Sequence, residues 1–367
     1  MTEQELSAYI QAIRPADEAA MEAARRRQAQ LAKPPGSLGQ LEEISIRLAG
    51  VTGQVCPAMG KCRVAVFAAD NGVVAEGVSC TPPAVTLQQA VNMTFRKTGM
   101  SAMAAAFGDD VSVVDVGIDG DVPPVGVLDR KVRRGTGDIA REDAMTRQQV
   151  LDAMAAGMEQ AARARADGVT ALGIGEMGIG NTTTSAAVLA ALTGADIEAV
   201  TGRGGGLTDE GFLRKKEVLR QVLALHRPDG SDVIGVLAGV GGLDLAAMTG
   251  AFLGCAHERV PAAVDGFISI AAALCAVRLC PAVRDVLFLS HDSYEVGYRI
   301  AAETLGLQPC LRLGMRLGEG SGCPLLFRVL EGACGVMRGM ATFGEASIED
   351  SYLDEIRAMD AFTVEGA

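Results

Sequence analysis

Between about residues 63 and 290, short apolar runs alternate with longer stretches in which apolar positions recur every three or four residues. The runs cover 64–68, 111–116, 169–174, 233–237, 263–268 and 286–289. Each closes on small or polar residues: Ala69-Asp70-Asn71-Gly72, Gly117-Ile118, Gly175-Glu176, Gly239, Ser269 and Ser290-His291. Runs of that length with such exits predict parallel strands whose C-terminal ends open into functional loops. Helical periodicity falls between them, at about 86–107, 145–167, 181–193, 208–225, 243–256, 268–279 and 293–305. The alternation predicts a doubly wound α/β sheet of about six strands, with helices on both faces.

The chain ends read differently. Residues 3–30, 40–50 and 323–342 carry helical patterns and no strand signal of comparable strength. We therefore expect residues 1–60 and 306–367 to meet as a smaller helical unit, and 61–305 to form the larger α/β unit with the site. Lys33-Pro34-Pro35-Gly36-Ser37-Leu38-Gly39 joins the first two helical stretches, its prolines ending one and Ser37 or Gly39 starting the next. There is no internal repeat and no low-complexity segment.

Composition sharpens this picture. Of 367 residues 49% are hydrophobic and 45 are glycine, while aromatics are 4% and tryptophan is absent, as suits helices packed closely on a parallel sheet. A net charge of -12 argues against nucleic acid or an anionic membrane as partner, since both repel an acidic surface. An anionic small substrate then needs a locally basic, glycine-rich site. The nine cysteines form no CxxC pair and share no ligand spacing with the three histidines, so they read as reduced core residues and no metal is expected. The acidic start, Met-Thr-Glu-Gln-Glu-Leu, has no signal-peptide character, and no uncharged apolar run reaches transmembrane length. A cytoplasmic protein is the expectation.

Four stretches carry candidate chemistry. Gly173-Ile174-Gly175-Glu176-Met177-Gly178-Ile179-Gly180-Asn181-Thr182-Thr183-Thr184-Ser185 runs from a strand through glycines into a helix. Free N–H groups and the positive end of the helix dipole suit a phosphate there, although a tight strand–helix turn would read the same way. The spacing is neither a Walker A loop nor a dinucleotide fingerprint, and Glu176 with the threonines tips it toward a site. Thr201-Gly202-Arg203-Gly204-Gly205-Gly206, followed by Lys215 and Lys216, offers a forked cation and close backbone approach, or else a flexible surface loop. Asp70 and Asn71 cap a turn or enter a site; beyond them Ser79 and Gln88 offer neutral hydrogen bonds to a heterocycle. His291 is more often a structural histidine than one that touches substrate. In Met315-Arg316-Leu317-Gly318-Glu319-Gly320-Ser321-Gly322 a lone acid sits between glycines, which lets a flat ligand approach closely. Glu319 is the expected general base.

Taken in order, these pieces resemble the nicotinate-nucleotide–dimethylbenzimidazole phosphoribosyltransferase family over nearly the whole chain. The match runs from Lys33–Gly39 with Leu41-Glu42 through Ala69–Val73 and Glu76–Ser79 to Asp115–Ile118, then Gly175–Thr183 and Gly202–Gly204. Gly241–Asp244, Asp265–Ile268, Ser290-His291 and Leu317–Gly322 complete it. The resemblance implies a homodimer, a Rossmann-like sheet in the larger domain, and Glu319 as proton acceptor. It also implies that Glu176, Gly178, Gly180, Asn181, Thr182, Thr183, Arg203, Gly204 and Lys215 bind the mononucleotide. Ser79, Gln88, Met177 and Leu317 would line the base pocket. The chain departs from the family pattern at Asn71, Cys80–Ala84, Gly205 and Asp138, two of these bordering the expected base pocket.

The implied reaction moves the 5-phosphoribosyl group of nicotinate mononucleotide to 5,6-dimethylbenzimidazole, with no cofactor. Two rivals stand beside it: a metal-using nucleotide-processing α/β enzyme, and a non-catalytic protein that sequesters a base or nucleotide.

Overall fold

The computed structural model describes residues 1–123 and 125–357. Six parallel strands form one sheet: β1 Cys62–Ala69, β2 Asp110–Gly117, β3 Val127–Asp129, β4 Ala171–Met177, β5 Ala262–Val264 and β6 Leu287–Leu289, in the order β3-β2-β1-β4-β5-β6. This is the Rossmann-like order, in which the chain winds one way from β1 to β3 and the other way from β4 to β6. The central strands β1 and β4 are buried almost throughout, which is why they read as continuous apolar runs.

Two strand expectations change. The run at 233–237 is not a strand but the start of the helix Val233–Val240, capped by the Asp232 carboxylate on the Gly235 N–H. A short apolar run fits a buried helix as well as a buried strand, and here the cap decides. The sixth strand is β3, three residues at the sheet edge that are only partly buried and so lack the continuous apolar run of the inner strands. The helical stretch at 86–107 is also two helices, Val85–Thr94 and Gly99–Phe107, broken where Arg96 turns left-handed at φ 59° and Thr98 caps the second.

Glycine lets the layers close. The helices Arg147–Ala166 and Leu243–Glu258 approach so nearly that a methyl group on Gly157 would lie 1.9 Å from the Ala247 carbonyl oxygen. On β4, Gly173 and Gly175 face the same side and leave room for Cys323 and for the backbone of Gly320. The helix Cys323–Gly339 therefore packs on β1, β4 and β5.

The two chain ends meet. Ala24, Leu31, Ile46, Ala49 and Met337 form a small apolar cluster, and Leu31 pairs with Thr342 in an antiparallel bridge. The helix Gln40–Thr52 also sends Ile44, Leu48 and Val51 into the main core. All nine cysteines are free; Cys62, Cys255, Cys275, Cys280, Cys323 and Cys334 are buried, while Cys80 is exposed. Among the described residues no helix is long and apolar enough to cross a membrane.

Candidate functional site

β1 and β4 are neighbours whose chains leave in opposite directions, so their C-terminal ends part and open a crevice. A cleft of about 250 Å³ lies there. Its wall comes from the exits of β4, β5 and β6, from residues 78–81 and the helix Val85–Thr94, from 203–207, and from 316–319.

Glu319 sits at one end, buried, at φ 65° between Gly318 and Gly320, both also left-handed. A left-handed glutamate costs about 1 kcal/mol or more, so the surroundings must hold it there. They do so with two buried acids. Glu176 Oε1 accepts the Glu319 N–H at 3.3 Å, while Asp265 accepts from Gly320 N–H at 3.1 Å and Gly322 N–H at 2.7 Å. A methyl group on Gly175 would strike the Gly320 nitrogen at 2.5 Å, so β4 and this loop fit only as glycines. The Glu319 carboxylate itself accepts from Gln89 Nε2 at 3.4 Å and from the Met100 N–H at 3.3 Å. Met100 lies in the first turn of the helix Gly99–Phe107, where the dipole favours a negative charge. Asn92 donates to Gln89 Oε1 at 3.0 Å and so turns the amide's NH₂ group toward the acid.

Beside it lies a carboxyl cluster. Asn181 Nδ2 donates to Glu176 Oε2 and, at 3.0 Å, to Asp244 Oδ2. Burial, reinforced by the charges of Asp244 and Asp265, pushes Glu176 up to about 8; burial raises Asp244 to about 6. At neutral pH Glu176 thus keeps its proton, the neutral member of a crowded set.

The other end is cationic. Lys215 is fully buried, its Nζ donating to Thr182 Oγ1 at 2.8 Å and to the Gly202 carbonyl at 3.2 Å. Burial pulls it down to about 8, opposed by the nearby Glu295 carboxylate. Lys216 turns outward instead and pairs with Glu198. Gly178, Gly180, Asn181 and Thr182 line this end, where Gly180 at φ 93° precedes the helix Asn181–Thr193. Gly204 lies against Thr182, and a methyl group there would meet Thr182 Oγ1 at 3.0 Å. Arg203 also reaches the cleft, although its guanidinium is half-exposed and binds the Leu207 carbonyl and Asp209.

Most of the expected residues therefore converge, with two corrections. Gln88 points to solvent, and it is Gln89 that enters the cleft, on the same helix face as Val85 four residues earlier. Thr183 is wholly buried away from the cleft wall. Ser79, Met177 and Leu317 all line the cleft, the Ser79 hydroxyl being engaged with the backbone of Thr81. Sequence reasoning missed Gln89, Asp244, Asp265 and the Met100 N–H. For Gln89 the signal was present, in the i, i+4 spacing with Val85; the acids are joined only by the fold.

Known proteins resemble the chain over most of its length. A family model described as phosphoribosyltransferase matches residues 13–348. The nicotinate-nucleotide–dimethylbenzimidazole phosphoribosyltransferase of Clostridium perfringens is 46% identical over 341 residues, 93% of this chain and 94% of that protein. The one from Geobacter metallireducens is 45% identical over 347 residues, 94% of this chain and 98% of that protein. A crystal structure of the enzyme of that name from Thermus thermophilus superposes with a TM-score of 0.86 at 44% identity, covering 91% of this chain and 99% of that one.

Proposed function

The chain belongs to the nicotinate-nucleotide–dimethylbenzimidazole phosphoribosyltransferase family, and we propose that it transfers the 5-phosphoribosyl group of nicotinate mononucleotide to 5,6-dimethylbenzimidazole in cobalamin biosynthesis. The observation that carries this reading is the pairing of opposite functions in one cleft: a clamped carboxylate at one end and a buried lysine at a glycine-capped helix start at the other.

In this reaction the 5′-phosphate lies against Lys215, Thr182 and the start of the helix Asn181–Thr193, with Arg203 at the rim. A ring nitrogen of the incoming base forms a bond to C1′ as the bond from C1′ to the nicotinate nitrogen breaks. The leaving ring is a pyridinium while bound to C1′ and takes the bonding pair to depart with a neutral ring nitrogen, so it needs no proton. The attacking ring would become a cation, and Glu319 removes the hydrogen on its second nitrogen. Glu319 suits the role better than Glu176, which already holds a proton at neutral pH. General-base help of this kind contributes about two to four orders of magnitude, and alignment of the two substrates much of the remainder. Met177 and Leu317 give the flat ring apolar walls.

The test is direct. Incubated with nicotinate mononucleotide and 5,6-dimethylbenzimidazole, the protein should yield nicotinate and α-ribazole 5′-phosphate in equal amounts by chromatography; mononucleotide binding without release of nicotinate would refute the reading. The same reading has the protein work as a homodimer in the cytoplasm, and a monomer in analytical ultracentrifugation would refute the first half of that statement.

A further inference from the structure

One acid of the cleft wall is unused by the transfer as described. Glu295 lies beyond β6, just before the helix Gly297–Leu305, and lines the cleft. Its Oε2 is buried and, among the described residues, accepts no hydrogen bond. That oxygen packs on Gly202, where a methyl group would lie 1.6 Å from it. The Gly202 carbonyl in turn accepts from Lys215 Nζ at 3.2 Å. An unpartnered carboxylate oxygen and a buried ammonium thus share one glycine as neighbour.

The lysine needs such a neighbour. Burial disfavours the charged form of an amine, and Lys215 is fully buried. Other charges on the surrounding elements are engaged elsewhere. Glu198 and Glu217 pair with Lys216 and Arg220, and Asp209 pairs with Arg203. Arg214, beside the lysine in sequence, pairs with Glu76. The helices Asn181–Thr193 and Val233–Val240, which pack on the lysine's helix, carry no charged side chain. Glu295 is the acid that opposes the effect of burial. It acts through space, because the ammonium gives two of its three hydrogens to Thr182 and Gly202. One hydrogen remains for a ligand.

We propose that Glu295 is a positioning residue, the resident counter-charge of Lys215 in the empty cleft, and that it yields this place to the incoming phosphate. The proposal rests on the phosphate placement given above. Glu295 keeps the lysine a cation before substrate arrives. It also repels the phosphate, which brings its own negative charge to the free ammonium hydrogen. The acid therefore weakens anion binding at a pH where the lysine is charged in any case. It strengthens binding at a pH where the lysine would otherwise be neutral, since an amine that loses a nearby acid gives up its proton at lower pH.

Sulfate is the probe, because it stays doubly negative across the range, and calorimetry reads its Kd. In Glu295→Gln the Kd should be equal or up to about threefold lower at about pH 6.5, and about threefold or more higher at about pH 8.5, so that the two profiles cross. A merely structural role shifts both values by one factor, and profiles that run parallel or coincide would overturn the proposal. Glu295→Asp, which draws the charge back by one methylene, should move the profile the same way by less, and it serves if Glu295→Gln does not fold. Lys215→Met should bind sulfate about tenfold or more weakly. Unaltered sulfate affinity in that variant would overturn this proposal and the phosphate placement together. Crossing profiles in a protein that releases no nicotinate would overturn the transfer alone.

Discussion

Two helix starts bear on the site, one through Glu319 and one directly, and the protein treats them oppositely. The helix Gly99–Phe107 begins at Thr98, whose hydroxyl takes the Ser101 N–H in a capping box, and the Met100 N–H is taken by Glu319. The helix Asn181–Thr193 begins at Gly180 with no side-chain cap, beside a buried lysine that shares Thr182. Both starts carry orphan N–H groups and the positive end of a dipole. One is completed from within by an acid, which is thereby held in place. The other has no side-chain cap, and in the proposed reaction it takes an anion from outside. In the proposed reaction the same backbone property anchors the base at one end and receives the phosphate at the other.

That contrast can be broken at either end. The largest effect should come from Glu319→Gln, which keeps an acceptor for the Met100 N–H and removes the proton sink: kcat falls about 10²- to 10⁴-fold while mononucleotide affinity by calorimetry stays within about threefold. A near-normal rate would refute the division of labour. Lys215→Met should do the reverse, raising the KM for the mononucleotide about 10- to 100-fold, as expected for losing a charged hydrogen bond to phosphate, with a smaller change in kcat. A loss confined to kcat would place the phosphate elsewhere.

The lysine also predicts a pH dependence. Its folded value of about 8 lies below the ordinary 10.5, so it is charged below pH 8 and neutral above. Phosphate binds the charged form, so KM should climb as pH rises above about 8, by up to about tenfold per unit. The Lys215→Met profile should lose the lysine's share of that rise and keep only what Glu176, which also titrates at about 8, contributes. The smallest effect separates two adjacent glutamines: Gln89→Ala should lower kcat about tenfold by releasing the Glu319 carboxylate, and Gln88→Ala should change it less than about twofold. Equal effects would show that the amide contact does not orient the acid.

How much of this was legible beforehand differs from residue to residue. Glu319, Glu176 and the turn 178–182 stood out because glycines bracket them in an apolar background. The choice between Lys215 and Lys216 did not, since both occupy one helix and only packing against Thr182 and Gly202 selects the first. The run at 233–237 was misread because periodicity cannot separate a short buried helix from a short buried strand.

The sequence alone determined what local pattern and glycine placement can encode: buried strands with open exits, an uncapped helix start after β4, and an acid at a close-approach turn. The tertiary structure decided which of these meet. Strand order brings Glu176, Asp244 and Asp265 from distant parts of the chain into one buried cluster, and that crowding sets which carboxyl groups hold protons. Desolvation and the field of neighbouring charges depend on distances in space, and no spacing along the chain contains them.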